Sequence, residues 1–193
     1  NNYLRFWESK SYFVVLGRSN KAKEEIHSKK CMEDKIPIIR RCSGGGTVLQ
    51  GPGCLNYSLI LAIESIPQLK NISTTNNYIM GNNQKALEGL LSQSPVVEGV
   101  TDLSIENKKC SGNAQKRKKE TLLFHGTLLL NFDLDAIETY LKLPPKQPAY
   151  RNNRLHRHFL TNSEVNSKEF KKSMMKIWQV SSQTQVYPRQ LVQ

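Results

Sequence analysis

The sequence predicts a single mixed α/β domain of the α+β class, with strands dominating the middle of the chain and helices inserted between them. Three observations carry that prediction. Short β-branched and aromatic runs at residues 12–16, 36–41, 55–63 and 122–131 stand between glycine, proline and asparagine punctuation. Helical character shows over residues 20–31, 78–91, 133–141 and 170–178. No repeat or linker composition interrupts the 193 residues, a length that buries one good core.

The elements follow in order. Residues 12–16, short, branched and aromatic, read as a buried strand closed by Gly17. Residues 20–31, rich in Lys and Glu with little apolar face, suit one solvated helix. The strand over 36–41 runs into Gly44-Gly45-Gly46, and the strand over 55–63 leaves that loop. Residues 65–77, rich in Asn, Ser and Thr, read as a connecting loop. Apolar positions 79, 80, 86, 87, 90 and 91 predict an amphipathic helix over 78–91, weakened by Gly81 and Gly89. Residues 96–100 and 102–105 predict a strand that turns at Glu106-Asn107 into a partner carrying Lys109. A helix over 133–141 places Asp133 and Asp135 at its positive end and is stopped by Pro144-Pro145. Phe170, Met174, Ile177 and Trp178, spaced i, i+4, i+7, i+8, predict a last helix with one face on the core. Residues 181–193 form a polar tail with no predicted structure.

Composition excludes several classes. Hydrophobic residues at 38% and charged residues at 23% argue against disorder. No apolar run approaches the roughly 20 residues of a membrane-spanning helix. No signal-peptide pattern follows Asn1, and the stretch reads as starting inside a longer chain whose first element precedes it. Four cysteines without a C-x-x-C pair argue against a zinc site or a disulfide framework and predict a reducing, cytoplasmic setting. The net charge of +12 predicts attraction to polyanions or acidic proteins. Nucleic acid is the obvious polyanion. Aromatics interleave with cations only weakly, at residues 3–7 and at Tyr150-Arg151, and no helix-turn-helix, zinc finger or RNP-type strand is legible, so that reading is disfavoured.

Two segments carry chemistry. Arg40-Arg41-Cys42-Ser43-Gly44-Gly45-Gly46 leads through Gly51-Pro52-Gly53 to Asn56-Tyr57-Ser58. Three glycines free the backbone for positive φ and let N–H groups converge on an anion. Strand alternation points only one of Arg40 and Arg41 into the same pocket. Gly46 to Gly51 has Walker spacing, but Pro52-Gly53 replaces the Lys-Ser/Thr that phosphate loops require. The second segment, Asn107-Lys108-Lys109-Cys110-Ser111-Gly112-Asn113-Ala114-Gln115, sets a lysine against a Ser-Gly turn, with His125-Gly126-Thr127 ten residues on. Together they suit an enzyme that handles a phosphate, a carboxylate, or both. His156-x-His158 lacks a Cys or acidic partner at metal-ligand spacing. Lys116-Arg117-Lys118-Lys119 reads as a solvated face, or as a patch that steers an acidic partner.

Arg41-x-Ser43-Gly44-Gly45-Gly46, Asn56-x-Ser58, Lys109-x-Ser111-Gly112-x-Ala114 and His125-Gly126-Thr127-Leu128-Leu129 resemble the lipoate–protein ligase A family, the relatives of biotin ligases and octanoyl transferases, over about residues 10–160. The resemblance implies a biotin/lipoate ligase-like catalytic domain, a mostly antiparallel mixed sheet flanked by helices. Residues 1–193 would form that domain, without the C-terminal accessory domain that family members often carry. It implies ATP and Mg²⁺ as cofactors and lipoate or octanoate as substrate. The carboxylate attacks the α-phosphate of ATP, and a lysine of a lipoyl carrier domain (a 2-oxoacid dehydrogenase E2 or a glycine-cleavage H protein, expected to be acidic) then attacks the acyl-adenylate. By the same match Lys109 holds the acyl carbonyl and an α-phosphate oxygen. Gly44, Gly45 and Gly46 lie against the acyl-adenylate with Arg41 and Ser43 beside them. His125, Gly126 and Thr127 line the pocket wall. Asn56, Ser111, Gly112 and Ala114 complete the binding set, and Asp102 stands near nucleotide and metal. Gln50-Gly51-Pro52-Gly53-Cys54 departs from the family, where many ligases have a His-Asp pair followed by Gly-Asn. That departure leaves room for a transferase that uses an acyl thioester or a preformed adenylate, with Cys54 as nucleophile, since alternation turns Cys110 away from Lys109. A separate accessory subunit and an inactive carrier-binding relative are further alternatives.

Overall fold

The computed structural model describes residues 2–182. Six strands form the main sheet: β1 (Tyr3–Trp7), β5 (Cys54–Ala62), β9 (Thr121–Leu129), β8 (Lys108–Arg117), β7 (Asp102–Ile105) and β6 (Val96–Glu98), in that order and antiparallel throughout. A second sheet has β2 (Phe13–Leu16) between β3 (Ile38–Arg40), which is parallel to it, and β4 (Val48–Gln50), which is antiparallel. The helices are α1 (Ala22–Glu25), α2 (Ser28–Glu33), α3 (Ile72–Leu87), α4 (Leu134–Tyr140), α5 (His156–Phe159) and α6 (Ser167–Ile177). Among the described residues no helix is long and apolar enough to cross a membrane.

Period-2 alternation gives the main sheet two different faces. Leu55, Tyr57, Leu59 and Leu61 on β5 stand opposite Leu128, Gly126, Phe124 and Leu122 on β9. This apolar face packs under α3 and α6 through Ile79, Met80, Ala86, Leu87, Phe170 and Met174. The opposite face carries Asn56 and Ser58 against Thr127 and His125. One end of it is closed by a smaller core in which Cys54 and Leu129 meet Val14, Leu16, Leu49, Ile137 and Leu141.

Several boundaries differ from the sequence reading, each for a local reason. Residues 65–77 are not a loop. Asn71 accepts a hydrogen bond from the Thr74 N–H and caps α3, whose first two turns are built from the Ser, Thr and Asn that suggested a connection. The helix ends at Leu87, and Gly89 beyond it takes a positive φ of 77°. The charged stretch 20–31 breaks into α1 and α2, because Ile26 and Cys31 turn inward and Glu25 is buried. β4 falls between two glycine turns where the sequence showed only loop. Residues 96–105 are a hairpin, β6 and β7, rather than one strand. The Glu106-Asn107 turn, both residues at positive φ, matches expectation, as do α4 capped by Asp133 and α6 capped by Asn166. Residues 3–7, with their aromatics and Arg5, are the edge strand β1. Of the predicted tail, Ser181 and Ser182 have no regular structure and 183–193 lie outside the described residues.

Candidate active site

The polar face of the main sheet is organised along β8. Gly112, Ala114 and Lys116 project to this face, opposite Thr127, His125 and Leu123 of β9. Between Leu103 and Ser104 the register with β7 shifts, so Cys110 is the extra residue. It sinks to full burial, its Sγ on the Leu103 carbonyl at 3.3 Å, while Lys109 turns to the polar face.

Lys109 lies across Gly112. A β-carbon there would sit 2.8 Å from Lys109 Nζ, so the glycine leaves the space that the ammonium occupies. Lys109 Nζ meets Asp102 Oδ1 at 2.8 Å with both side chains largely covered. The second Asp102 oxygen accepts from the Tyr150 hydroxyl at 2.8 Å. Burial, then Asp102, raises the Tyr150 phenol far above its ordinary range, so it stays a donor. Tyr150 was read from the sequence only as an aromatic beside a cation. No local signal ties it to Lys109, because the pairing depends on a segment that returns from the far end of the chain. That segment is fixed by Arg154, which donates to the Tyr150 and Asn107 carbonyls, and by the Thr161 N–H, which donates to the Lys109 carbonyl at 3.0 Å. Tyr150→Phe keeps the ring against Phe159 and removes only the hydroxyl. It is expected to lower kcat/KM about tenfold, with a stability loss near 1 kcal/mol. Steady-state kinetics beside a thermal melt checks both.

The glycine loop caps this face. Arg41 does not project into open space. Its guanidinium donates to the carbonyls of Gly44 and Gly46, each at 2.7 Å, and braces the loop from within. Arg40 does the same for the neighbouring turn, donating to the Gly17, Arg18 and Asn20 carbonyls. Thus Arg41 serves the glycine loop and Arg40 the turn after β2. Gly45 needs a φ of 89°, and Gly17 is required because a β-carbon there would overlap the Gly45 carbonyl oxygen. At the loop's exit Thr47 donates its hydroxyl to buried Glu25 at 2.6 Å, a role hidden in the charged stretch.

Ser43 and His125 clamp loop to sheet, Oγ to Nε2 at 2.6 Å. Burial, with Arg41 nearby, lowers the His125 pKa to about 4, so the imidazole is neutral at pH 7. Folded His125 takes its proton only near pH 4, whereas an unfolded histidine does so near 6.5. The unfolded chain therefore binds the extra proton between those values, and stability falls as pH drops through that window. The loss is expected to be about 2 kcal/mol after allowance for partial exposure, and His125→Gln is expected to flatten the slope in pH-dependent melts.

Asn56 and Thr127 are engaged with Gln50 in a closed ring. Thr127 donates to Asn56 Oδ1 at 2.6 Å, Asn56 to Gln50 Oε1 at 2.8 Å, and Gln50 to Thr127 Oγ1 at 2.8 Å. Gln50, which departs from the family pattern, is thus the third member of a polar brace. Gly126 leaves the expected pocket wall, and Ser111 leaves the expected binding set. Ser111 is 3% exposed opposite Leu128, and Gly126 lies beside Tyr57 and Asn113 on the helix-covered face. Cys54 is fully buried in the smaller core, and burial pushes its thiol up to about 12, which removes it as an accessible nucleophile. Cys110 is equally buried.

The described residues do not supply a magnesium site of their own. Both Asp102 oxygens are engaged, and no three His, Cys, Asp or Glu side chains gather among the described residues. His156 is buried between Arg151 and the Lys142 carbonyl rather than poised for a metal. A depression of about 720 Å³ between α1–α2 and α4 shares no residue with this constellation.

A family model described as the lipoyl protein ligase A/B catalytic domain matches residues 1–183. A probable lipoate-protein ligase A of Mycoplasma genitalium is 34% identical over 141 residues, covering 72% of this chain and 40% of that one. A lipoate-protein ligase of Bacillus subtilis is 31% identical over 141 residues, covering 73% and 40%. The chain spans half or less of the length of these and similar curated relatives. Among solved structures, a bipartite lipoate protein ligase from Thermoplasma acidophilum, described with its E2 lipoyl domain, superposes with a TM-score of 0.76 at 22% identity, covering 92% of this chain and 69% of that one. A lipoate-protein ligase A bound with ATP gives 0.74 at 23%, covering 92% and 71%. At those identities the likeness is one of fold, and it bears out the antiparallel sheet with flanking helices. By the match over residues 1–183, the chain belongs to the family of lipoyl protein ligase A/B catalytic domains.

Proposed function

We propose that this chain is the catalytic domain of a lipoate–protein ligase, which activates lipoate or octanoate with ATP and transfers the acyl group to a lysine of a lipoyl carrier domain. The observation that carries the reading is Lys109, held over Gly112 by Asp102 and Tyr150 on the face that the glycine loop caps.

In the first step a carboxylate oxygen attacks the α-phosphorus, the bond to the β-phosphate breaks and pyrophosphate leaves. The exposed Gly44–Gly46 segment offers its N–H groups to an anion, with Arg41 bracing the Gly44 and Gly46 carbonyls. Lys109 stabilises the developing charge on the acyl and α-phosphate oxygens, and Asp102, fixed by the Tyr150 hydroxyl, holds its ammonium over Gly112. In the second step the carrier lysine attacks the acyl carbon, its bond to AMP breaks, and the amine proton passes to solvent. Magnesium, when bound, would supply charge neutralisation on the phosphates, and neither step is routed through it. The ligand cradle is Gly44, Gly45, Gly46, Lys109, Gly112 and Ala114, with Ser43, Arg41, His125, Thr127 and Asn56 holding its walls. A cytoplasmic setting belongs to the same reading and is supported by four free thiols.

The transferase alternative needs an accessible thiol. Cys42 is the exposed cysteine, and it stands in the loop rather than beside Lys109. Lipoate-dependent exchange of labelled pyrophosphate into ATP tests the adenylating reading without any carrier. Exchange supports it. Acylation of a carrier from an acyl thioester, with no exchange, would replace it with the transferase.

A further inference from the structure

We infer that an acidic surface around the target lysine of the acceptor protein docks on the basic groove at the Lys116 end of β8, an assignment that rests on the ligase reading for its chemistry but not for its geometry. The polar face has two ends. The Lys109 end is closed by the returning segment, with Tyr150 on Asp102, Arg154 on the Asn107 carbonyl and Thr161 on the Lys109 backbone. At the other end, past Ala114, the face opens into a groove of about 480 Å³ between the glycine loop and β8. Gly44 lines this groove, and the neighbouring Gly45 stands on Ala114, its β-position 3.8 Å from the Ala114 β-carbon, so the groove opens beside the loop-capped face.

The groove is one-signed. Arg18, Lys116 and Arg117 line it, and no carboxylate does. The Arg117 guanidinium is spent on Thr75 and the Leu69 carbonyl. Arg18 is exposed and lines the groove with Lys116. The positive charge continues outside it onto Lys118 and Lys119 in the exposed turn between β8 and β9. Ile72, 60% exposed, stands on the rim. The cations Lys118 and Lys119 beyond the groove, together with the exposed Ile72 in its lining, suit a protein surface rather than a small anion. The acceptor is therefore one whose modified lysine is ringed by Asp and Glu. Its carboxylates meet Arg18, Lys116, Lys118 and Lys119 while the lysine runs inward.

The test measures binding and adenylation separately. Anisotropy of a fluorescently labelled apo lipoyl domain gives Kd for the wild-type chain and for Lys118→Glu/Lys119→Glu. Hydroxylamine in place of the carrier reports adenylate formation as the acyl hydroxamate. The double substitution is expected to weaken binding about tenfold at low salt, with the difference shrinking as ionic strength rises and hydroxamate formation holding. An unchanged Kd, no binding by the wild type, or an equal loss of hydroxamate, which would assign the charge to the nucleotide, overturns the docking assignment. A wild-type chain that binds the carrier and shows the salt-dependent loss, yet makes no hydroxamate, sustains the docking surface and rejects the adenylating chemistry.

Discussion

Lys109→Ala is expected to lower the rate of acyl transfer by about 10²–10³-fold or more, the scale of losing one preorganised charge stabiliser. The side chain is not a freely solvated lysine. Its ion pair with Asp102, with the two side chains 25% and 14% exposed, means that removal leaves a half-buried carboxylate supported by Tyr150 alone. A stability cost of about 1–2 kcal/mol is therefore expected together with the catalytic loss. A circular dichroism melt separates the two effects, because a folded but inactive variant is the predicted result. Lys109→Arg is not expected to rescue. The planar guanidinium is bulkier than the ammonium seated over Gly112 and cannot reproduce a point charge between two oxygens. Full activity in the folded alanine variant would remove Lys109 from the chemistry.

Gly126→Ala is expected to give a large loss of stability. A methyl group would overlap Asn113 Oδ1 and stand 2.7 Å from the Tyr57 ring, in the middle of three paired strands. There the buried Tyr57 hydroxyl donates to Asn113 at 2.6 Å and accepts from Asn83 at 2.5 Å, while Asn113 also donates to the Thr101 carbonyl. Displacing Asn113 breaks this chain inside the core, with an expected cost of at least about 3 kcal/mol. Chemical denaturation measures it. Gly112→Ala is the informative contrast. Its methyl would meet the far end of the Lys109 side chain, which can shift, so activity is expected to suffer more than stability. A mild effect of Gly126→Ala on folding would show that the sheet tolerates what its packing forbids.

The contrast between these two glycines shows what the sequence disclosed. Strand periodicity located most of the main sheet, and the family resemblance, rather than periodicity, grouped Lys109, the glycine loop and His125. The bulge at Cys110, which no alternation pattern shows, turns Lys109 to the face of Gly112 and Ala114, while period-2 alternation separates Gly126 from His125 and Thr127, and Ser111 from Gly112 and Ala114. Reading the motifs as continuous blocks concealed that. The start of α3 was hidden because its Asn71 cap and Thr-rich first turns have the composition of a loop. Arg41 was expected to meet substrate, yet the nearest acceptors are carbonyls of its own loop, five residues away or fewer. Tyr150 and Glu25 were invisible for a different reason. Each acts on a residue more than twenty positions away, through packing that no local pattern encodes.

The most direct test of the central claim is the intact mass of a purified apo lipoyl carrier incubated with this protein, lipoate and Mg²⁺, with and without ATP. The ligase account predicts a mass gain of one lipoyl group only when ATP is present, lost in Lys109→Ala. A gain from an octanoyl-carrier thioester without ATP, undiminished by that substitution, would contradict it.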